Sequence, residues 1–449
     1  MNMDAVRDIE FTQIAADWDS APLGREKEPL LLLMRNGLTV EQSKERGVLR
    51  VTRIETISDG IIDETKVRSV SGLSTEQVEK YRIRKGDILF SHINSDPHLG
   101  KTAIASRNYA DLLHGMNLLL LRVNKKVLEP QFLHFVCCYY RMKGVFVKIC
   151  SRSVNQSSIN QAKLKALEIP LPSLPEQHKI AGVLGVVQRA IEQQEQLLQL
   201  ITELKKTLLH QLFTQGLRGE HEKQTEIGPV PESWEIVKIG SLGKVITGTT
   251  PKTKVPEYYS PPEVDFIAPA DLGQTRQIYN SGKKISRRGL DVIRALPKEA
   301  VMCVCIGSSI GKVGMTSKAD SATNQQINTI ICNERHDPAF IYYLLSYFSE
   351  YWRSFATFGP VPILNKGAFE VINIAIPATK DEEVEIAQCI TALDAKIEMH
   401  MRRKDLLTNL FRTLLHQLMT AQIRVNDLEL LWEWRNETSL YGNLPLSSQ

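Results

Sequence analysis

The chain has 449 residues, of which 43% are hydrophobic and 24% are charged, and its formal net charge at pH 7 is +4. That length is sufficient for two or three domains with hydrophobic cores, and the composition is typical of globular proteins. The first residues lack the basic and apolar regions of a signal peptide, and no apolar run approaches the roughly 18 residues of a membrane span. These features exclude a secreted or membrane-spanning class, and we expect a cytoplasmic protein that does not associate with membranes.

Positive charge is concentrated in two separate segments of the chain. Residues 80–165 contain fifteen Lys and Arg against four Asp and Glu, and residues 238–318 contain thirteen against six. Two basic segments in a nearly neutral chain predict two surfaces that bind a polyanion. A solvated charged face is the alternative interpretation of either segment.

A long internal repeat relates the two halves of the sequence. Residues 206–218 read KTLLHQLFTQGLR and residues 412–424 read RTLLHQLMTAQIR, with eight identities and no gap. The same offset of 206 positions pairs further residues upstream, such as Ile180 with Ile386. A repeat of this length indicates two copies of one structural unit, which suggests that the protein recognises a two-part target.

The two halves contain the same predicted elements in the same order, after an initial tryptophan at Trp18 or Trp234. Each element occurs once in the first half and once in the second. The predicted pairs are strands at 86–90 and 299–306, strands at 117–121 and 328–331, helices beginning at Pro130 and Pro338, and closing strands at 169–172 and 374–377. Short strands mixed with one or two helices are typical of an α+β domain.

Apolar residues after each closing strand recur at alternating steps of four and three. This heptad pattern predicts a helix of about forty residues in each half and a coiled coil between the two helices. Lys205 and Lys404 interrupt the pattern, and polar residues at such positions are expected to fix the register. The predicted seam residues are Ile180, Leu184, Val187, Ile191, Leu198, Ile201, Leu208 and Leu212 in the first helix, and Ile386, Ile390, Leu393, Ile397, Leu407, Phe411, Leu414 and Leu418 in the second.

The simplest assembly packs the two helices antiparallel, with a globular domain at each end. The expected fold class is therefore α+β, with two pseudo-symmetric α/β-globular domains joined by two long helices packed as an antiparallel coiled coil. About forty helical residues span about 60 Å, which is enough to hold two recognition modules one or more turns of B-DNA apart. The predicted boundaries are a first domain at 1–172, a first long helix at 173–219, a second domain at 220–378, a second long helix at 379–424 and a C-terminal docking tail at 425–449.

Several segments resemble catalytic motifs but depart from them at essential positions. Gly307–Lys312 resembles a phosphate-binding loop, but it has three residues between the glycines rather than four, and Val313 stands where Ser or Thr would bind magnesium. In the similar loop that ends at Lys101 and a threonine, Ser95 replaces the first glycine. A Ser-Pro-Pro motif of the kind found in amino-methyltransferases continues with Glu263 instead of the aromatic residue that stacks on the base. No catalytic, cofactor-binding or metal-binding residue is predicted.

Recognition of DNA is the chemistry that the remaining polar residues favour. Amides suit adenine and arginine suits guanine in a major groove, whereas lysines and hydroxyls suit phosphates. We expect the basic cluster at 283–288 to contact phosphates and the amides at 324–326 to lie closer to base edges. The candidate DNA-binding residues are Arg82, Arg84, Lys85, His92, Asn94, Lys101 and Arg107 in the first half, and Thr249, Thr250, Lys252, Lys254, Lys283, Lys284, Arg287, Arg288, Lys312, Asn324, Gln325 and Gln326 in the second.

The motifs of the second half occur in a characteristic order. They are Trp-x4-Ile-Gly at 234–240, Thr-Gly-Thr-Thr-Pro at 247–251, Ile-Ser-Arg-Arg-Gly at 285–289, Ile-Gly-Lys-Val-Gly at 310–314 and Asn-Gln at 324–325. In the first half, Ile-Pro-Leu-Pro is followed by Leu-Pro-Glu-Gln-His-Lys-Ile at 174–180. This combination resembles the DNA specificity subunits of type I restriction-modification systems, over roughly residues 12 to 424.

The resemblance implies a non-catalytic subunit whose two target-recognition domains each read half of a split, asymmetric sequence in double-stranded DNA. It implies that the paired helices set the spacing and bind two modification subunits, which use S-adenosylmethionine to methylate adenine. It further implies restriction subunits that use ATP and magnesium, and no cofactor in this chain itself. Two other classes remain open at this stage: a coiled-coil scaffold that does not bind DNA, and a methyltransferase fused to its recognition domain.

Overall fold

The computed structural model describes residues 18–425 apart from residues 46, 59, 154, 155 and 358. The predicted docking tail therefore lies outside the described residues except for Val425, which is buried. The chain divides into a first unit, Met1–Glu195 with Arg403–Gln449, and a second unit, Gln196–Arg402. Each unit thus combines a globular domain with parts of both long helices. Within the described ranges, none of the helices has the length and hydropathy that a membrane span requires.

Two helices are far longer than the others and correspond to the predicted heptad segments. The helices are α1 Thr75–Tyr81, α2 Pro130–Met142, α3 Val145–Ile149, α4 Gln161–Lys165, α5 Leu174–Gln215, α6 Arg287–Asp291, α7 Pro338–Tyr347, α8 Ser349–Arg353, α9 Lys366–Glu370 and α10 Lys380–Met419. The predicted helical segments extended to 219 and 424. Instead, α5 stops before Gly216 (φ +66°) and α10 stops shortly before Ala421 (φ +50°), because such left-handed backbone cannot continue a helix.

A four-stranded sheet in the order β2-β11-β7-β9 forms the centre of the first domain. Leu119 and Leu121 belong to one core and Leu118 and Leu120 to another, because successive side chains of β11 point to opposite faces. The strands of this unit are β1 Asp19–Pro22, β2 Leu31–Asn36, β3 Leu49–Val51, β4 Ile57–Ser58, β5 Ile61–Ile62, β6 Arg68–Val70, β7 Ile88–Ser91, β8 Ile93–Asn94, β9 Thr102–Ile104, β10 Leu112–Leu113, β11 Leu118–Val123, β12 Ser151–Ser153, β13 Gln156–Ser158 and β14 Glu168–Leu171. Smaller sheets have the orders β1-β14, β10-β3-β6, β12-β13-β8 and β4-β5.

The second domain repeats this design around a five-stranded sheet in the order β18-β25-β22-β23-β20. Val301 and Cys303 of its strand β22 belong to one core and Met302 and Val304 to another. The strands are β15 Glu222–Thr225, β16 Gly228–Pro231, β17 Glu235–Lys238, β18 Gly243–Thr247, β19 Val264–Ile267, β20 Gln277–Ile278, β21 Lys284–Ile285, β22 Val301–Val304, β23 Val313–Thr316, β24 Ala322–Thr323, β25 Ile327–Cys332 and β26 Asn373–Ile376. Smaller sheets have the orders β15-β16, β17-β26 and β21-β19-β24. The strands and helices predicted in both halves are confirmed.

Within each unit the long helices pack antiparallel. The core of the first domain includes Ile180 from the start of α5 and Leu418 from the end of α10. The core of the second domain includes Leu212 from the end of α5 and Ile386 from the start of α10. Each domain therefore contacts the beginning of one helix and the end of the other, which agrees with the predicted antiparallel coiled coil. Every predicted seam residue is buried or half-buried.

The two lysines that interrupt the heptad pattern form ion pairs between the helices. Lys404 of α10 pairs with Glu195 of α5 at 2.8 Å in the first unit. Lys205 of α5 pairs with Asp394 of α10 at 2.6 Å in the second unit. Each of these ion pairs can form in only one register of the two helices, so the pairs specify how the helices are aligned.

The most strongly repeated motif, Thr-Leu-Leu-His-Gln-Leu, attaches the end of each long helix to a domain. In the second unit, His210 Nδ1 lies 2.8 Å from the Tyr347 hydroxyl. In the first unit, the His416 ring stacks on Tyr139 with ring centroids 6.0 Å apart. The repeat is thus explained by packing of the helix against the domain rather than by a chemical site.

Candidate nucleic-acid interface

A polar loop in the second domain forms where β18 ends and β25 begins. The Thr250 hydroxyl donates a hydrogen bond to Gln325 Oε1 at 2.6 Å, which joins the Thr-Gly-Thr-Thr segment to the Asn-Gln-Gln segment. Gly248 is required between them, because a Cβ atom at this position would lie 2.1 Å from the Asn324 carbonyl oxygen. The structure therefore brings together two groups of candidates that lie about 75 residues apart in the sequence.

The neighbouring candidates extend this loop along the surface. The Thr249 amide donates to the Thr323 carbonyl of β24 at 2.9 Å, which holds the loop against the small sheet. Lys252 and Lys254 are exposed on the turn that follows. This arrangement places two mobile point charges beside the hydroxyl-rich turn, which suits contact with phosphate oxygens.

The three amides of the Asn-Gln-Gln segment are not equivalent. Asn324 Nδ2 donates to Gln326 Oε1 at 2.9 Å, and the backbone N–H of Gln326 donates to Asn324 Oδ1 at 3.1 Å. Gln326 Nε2 also donates to the Ile306 carbonyl at 3.4 Å. Asn324 and Gln326 are therefore half-buried partners, whereas Gln325 is exposed and is the amide best placed to reach a ligand. Lys312 is also exposed, in the glycine-rich segment that follows Ile306.

The small sheet β21-β19-β24 connects the basic cluster to these amides. Lys284 lies in the edge strand β21, opposite Asp265 of β19. On the other side of β19, strand β24 ends at Thr323 and leads directly into Asn324. Residues 40 positions apart in the sequence thus belong to one surface element of the second domain.

Three members of the basic cluster already have carboxylate partners. Arg287 lies 2.6 Å from Asp320, and Arg288 lies 2.6 Å from Glu257. Both arginines are largely exposed, and exposed ion pairs contribute little to stability, so each guanidinium can exchange its carboxylate for a phosphate. Lys283 is exposed as well.

Lys284 differs from the other members of the cluster because its partner is buried. The Asp265 side chain is 2% exposed and lies 3.8 Å from Lys284 and 2.6 Å from Lys318. Burial alone would raise the pKa of Asp265, but hydrogen bonds from Lys318 and Ser281 outweigh it, and the pKa is lowered. Asp265 is therefore a fixed anion that orients two lysines, which gives Lys284 a structural role in addition to its predicted phosphate contact.

One exposed arginine beside the polar loop was not predicted from the sequence. Arg294 Nη1 donates to the Thr247 carbonyl at 2.7 Å, immediately before the Thr-Gly-Thr-Thr segment. No motif distinguishes this arginine, and its partner lies 47 residues away. Only the packed domain places it beside the candidate loop.

The first-domain candidates are dispersed rather than gathered at one loop. Arg107 pairs with Glu64 at 2.7 Å and stacks on Tyr109 at 4.8 Å from the ring centroid. Arg82 pairs with Glu79 at 2.8 Å. Like Arg287 and Arg288, these two arginines have carboxylate partners within the domain, and their contact with DNA stays a prediction.

Arg84 and Lys85 do belong to a coherent basic surface. Both are exposed and line a shallow groove of about 550 Å³ together with Lys125 and Lys126, which follow strand β11. Lys125 and Lys126 were not predicted from the sequence, although their adjacency was a detectable signal within the basic segment 80–165. Four exposed cations around one groove suit a phosphate backbone.

The remaining first-domain candidates lie near β7 and β8. Burial lowers the pKa of His92 to about 4, so this histidine is neutral at physiological pH and carries no charge to a phosphate. Asn94 Nδ2 donates to Ser91 Oγ at 3.1 Å in the short strand β8. Lys101 is half-buried and lines a separate cavity of about 690 Å³ with Arg141 and Arg412.

Comparisons with known proteins show which family this chain resembles. The family model of the type I restriction modification DNA specificity domain matches residues 34–203 and 231–409. The chain is 36% identical over 426 residues to the putative type I restriction enzyme MjaX specificity subunit of Methanocaldococcus jannaschii, covering 93% of this chain and 96% of that protein. It is 22% identical over 409 residues to the HindI specificity subunit of Haemophilus influenzae, covering 77% and 88%.

A solved structure supports the fold independently of sequence. The S subunit of a type I restriction-modification system from M. genitalium superposes with a TM-score of 0.58 at 16% identity, covering 90% of this chain and 96% of that one. Neither a scaffold that does not bind DNA nor a fused methyltransferase is favoured by these matches. The matched domain occurs twice and the similarity to a specificity subunit spans nearly the whole chain, so this chain belongs to the family of type I restriction-modification DNA specificity subunits.

Proposed function

We propose that this chain is a non-catalytic subunit that reads a bipartite, asymmetric target in double-stranded DNA, one half with each unit. The observation that carries the proposal is the presence of two complete domains, each with its own cores and its own exposed basic residues. In the second domain these residues adjoin amide and hydroxyl groups that can read base edges. The two domains differ in their polar residues, so the two half-sites are expected to differ in sequence.

The exposed faces of the long helices support two equivalent docking positions for a partner. Leu200 and Leu204 of α5 are 66% and 55% exposed in the second unit. Leu406 and Leu410 of α10 are their equivalents in the repeat, and they are 70% and 46% exposed in the first unit. Apolar residues four apart lie on one helix face, and an exposed apolar face marks an interaction site. Two equivalent faces fit two copies of one partner, which we propose to be the modification subunits.

The chemistry of methylation and restriction belongs to the partners in this proposal. The modification subunits would bind S-adenosylmethionine and methylate adenine in the target that this chain selects. Restriction subunits would bind ATP and magnesium. The chain would act in the cytoplasm, where it contributes recognition and spacing.

Sequencing of methylated adenines tests the proposal directly. Cells that carry this chain with its modification subunits are compared with matched cells that carry the modification subunits alone. We expect one methylated motif that depends on the chain and consists of two specified parts separated by unspecified base pairs. A single contiguous motif, or no motif that depends on the chain, would overturn the proposal.

A further inference from the structure

A small sheet in the first unit contains two strands made only of polar residues. Strands β12 (Ser-Arg-Ser) and β13 (Gln-Ser-Ser) pair antiparallel, and β13 pairs with β8. The register aligns Arg152, Ser157 and Asn94 in one row across the three strands. Side chains directly opposite one another lie on the same face, so these three groups face the same side of the sheet. Ser153 and Gln156 form the next row, on the other face.

Most of this ribbon is exposed, and it contributes no apolar side chain to a core. All three residues of β12 are exposed, and so is Gln156 of β13, whereas Ser157 is buried. A short pair of strands that buries so little gains little stability from its own packing. Its sequence is therefore not explained by the hydrophobic core, in contrast to β7 or β11.

The charges around the ribbon hold its arginine in place. Arg152 is 67% exposed, and its Nη2 lies 3.3 Å from Asp96 Oδ2. The Ser157 hydroxyl donates to the other oxygen of the same carboxylate. On the neighbouring helix α4, Lys163 Nζ donates to Ser151 Oγ at 3.0 Å. The ribbon thus presents an oriented guanidinium, hydroxyls and an amide, with one lysine at its edge.

We propose that the β12–β13 ribbon enters the major groove of DNA and reads base edges in one half of the target, which rests on the proposed function. The major groove, about 12 Å wide, admits a two-stranded ribbon. Arg152 has the donor pattern for guanine. Gln156 lies on the other face of the ribbon and is not assigned a base contact. Lys163 is positioned for an adjoining phosphate. Asp96 is a positioning residue that orients Arg152.

The corresponding segment of the second unit has different chemistry. It lies between α8 and α9, just as the ribbon lies between α3 and α4. Its exposed side chains include the apolar Phe355 and Val361, at 49% and 54% exposure, and it contains neither arginine nor glutamine. Substitutions in the ribbon should therefore affect the reading of only one half-site.

Selection from a random-sequence DNA duplex pool tests the ribbon. The full chain purified with its modification subunits is incubated with the pool, and bound duplexes are recovered and sequenced. Arg152→Gln and Arg152→Lys are compared with wild type, because lysine keeps the charge but lacks the planar fork of donors. Arg402→Gln is a matched control, because Arg402 is 75% exposed and pairs with Glu398 at 2.5 Å. Exposed substitutions of this kind leave the fold intact, which thermal unfolding checks.

Each ribbon variant should lose preference at one or two adjacent positions in the same half of the target, by about 5- to 150-fold. The control should select the wild-type sequence. Unchanged preference in both ribbon variants, or equally weakened binding to all sequences, would overturn base reading by the ribbon. Loss of the modification subunits instead would indicate a protein-binding ribbon and would also overturn it. A wild-type complex that enriches no sequence would overturn the proposed function itself.

Discussion

Gln177 and Glu383 occupy equivalent positions of the repeat, and both fasten the start of a long helix to its domain. Gln177 Oε1 accepts a hydrogen bond from the Glu129 backbone at 2.9 Å, and Glu383 Oε2 accepts one from the Asp337 backbone at 2.7 Å. Both side chains are about 1% exposed. They have the same shape, but only Glu383 can carry a charge, and His336 Nδ1 lies 2.8 Å from it.

Replacing Glu383 with Gln should therefore preserve the anchor and change its response to pH. Burial raises the pKa of Glu383, although hydrogen bonds from Asp337 and His336 oppose this effect. A carboxyl whose pKa is higher in the folded state stabilises the fold at low pH, and that contribution is lost as the pH rises through the folded pKa. We expect E383Q to match or exceed the wild-type Tm at pH 7, and to lose this advantage as the pH approaches 4.5.

The reverse substitution in the first unit provides the control. Gln177 Nε2 donates to the carbonyls of Val127 and Pro172 at 3.1 and 2.9 Å. Gln177→Glu would place a carboxylate against those two oxygens and should cost roughly 1–3 kcal/mol. Thermal unfolding of both variants between pH 4.5 and 8 measures the effects. If E383Q were as destabilising as Q177E at pH 7, the contact of the Glu383 carboxyl with His336 would outweigh the effect of burial.

Substitutions in the basic cluster and at the exposed amide of the second domain should change DNA binding in different ways. Arg287→Gln with Arg288→Gln should weaken binding similarly on all sequences and reduce the salt dependence by about one unit of slope per lost contact. Gln325→Ala should cost roughly 1–3 kcal/mol on the correct target and relax preference at one position. Fluorescence-anisotropy titrations on cognate and single-mismatch duplexes at several salt concentrations measure both. The assignment of phosphate contacts to the arginines and base reading to Gln325 would be reversed by the opposite result. In that result, the amide variant loses affinity equally for all sequences and the arginine variant loses discrimination between them.

The residues proposed to contact DNA were chosen from the sequence by their chemistry, but their partners within the domain could not be predicted. The Thr-Gly-Thr-Thr and Asn-Gln-Gln segments were identified by their chemistry, and the structure places them in contact. That Asp265 is a buried anion was not visible, because its partner Lys318 lies 53 positions away and no periodicity links them. Pairing over such separations depends on the tertiary fold.

At the scale of elements, we propose that the paired helices α5 and α10 set the spacing between the two half-sites. Inserting four residues into the segment 193–196 adds about one helical turn and ~6 Å. We expect the unspecified spacer between the half-sites to lengthen, while both half-sites keep their sequences. Sequencing of methylated adenines in cells with the insertion variant measures the new spacing. Continued methylation at the original spacing would show that the helices do not set it.

The exposed leucine pairs should control partner binding and not DNA contact. Leu200→Lys with Leu204→Lys should reduce the stoichiometry of bound modification subunits from two to one, and the equivalent change at Leu406 and Leu410 should do the same. Changing all four residues should abolish binding. Val292 is a suitable control for the added charge, because it is 51% exposed and lies outside both long helices. Native mass spectrometry measures the stoichiometry, and two bound copies in either double variant would refute the docking position.

Long elements with strong periodicity were predictable, whereas short polar ones were not. The heptad pattern predicted both long helices, and apolar runs predicted β11 and β25. Strands β12 and β13 contain only serine, arginine and glutamine, so neither alternation nor β-branched residues mark them. Their pairing arises from the position that α3 and α4 give to their ends.

At the scale of the whole molecule, the two domains should be exchangeable one at a time. Replacing residues 1–172 with the first domain of another family member should change one half of the methylated sequence and leave the other unchanged. The long helices of this chain stay in place, so the spacing should also persist. Methylation sequencing of the hybrid provides the measurement. A change in both halves would count against independent reading.

The order in which the core of the first domain is assembled follows from the antiparallel helices. That core includes Leu415, Leu418 and Met419, which lie at the end of α10 and are almost fully buried. On the ribosome, residues 18–195 are synthesised long before these three side chains. Until then, the apolar residues that these side chains cover in the first domain remain exposed to solvent. The second unit, Gln196–Arg402, is contiguous in sequence, so its core can form as soon as this segment leaves the ribosome. The domain that is translated first is therefore the one that finishes folding last.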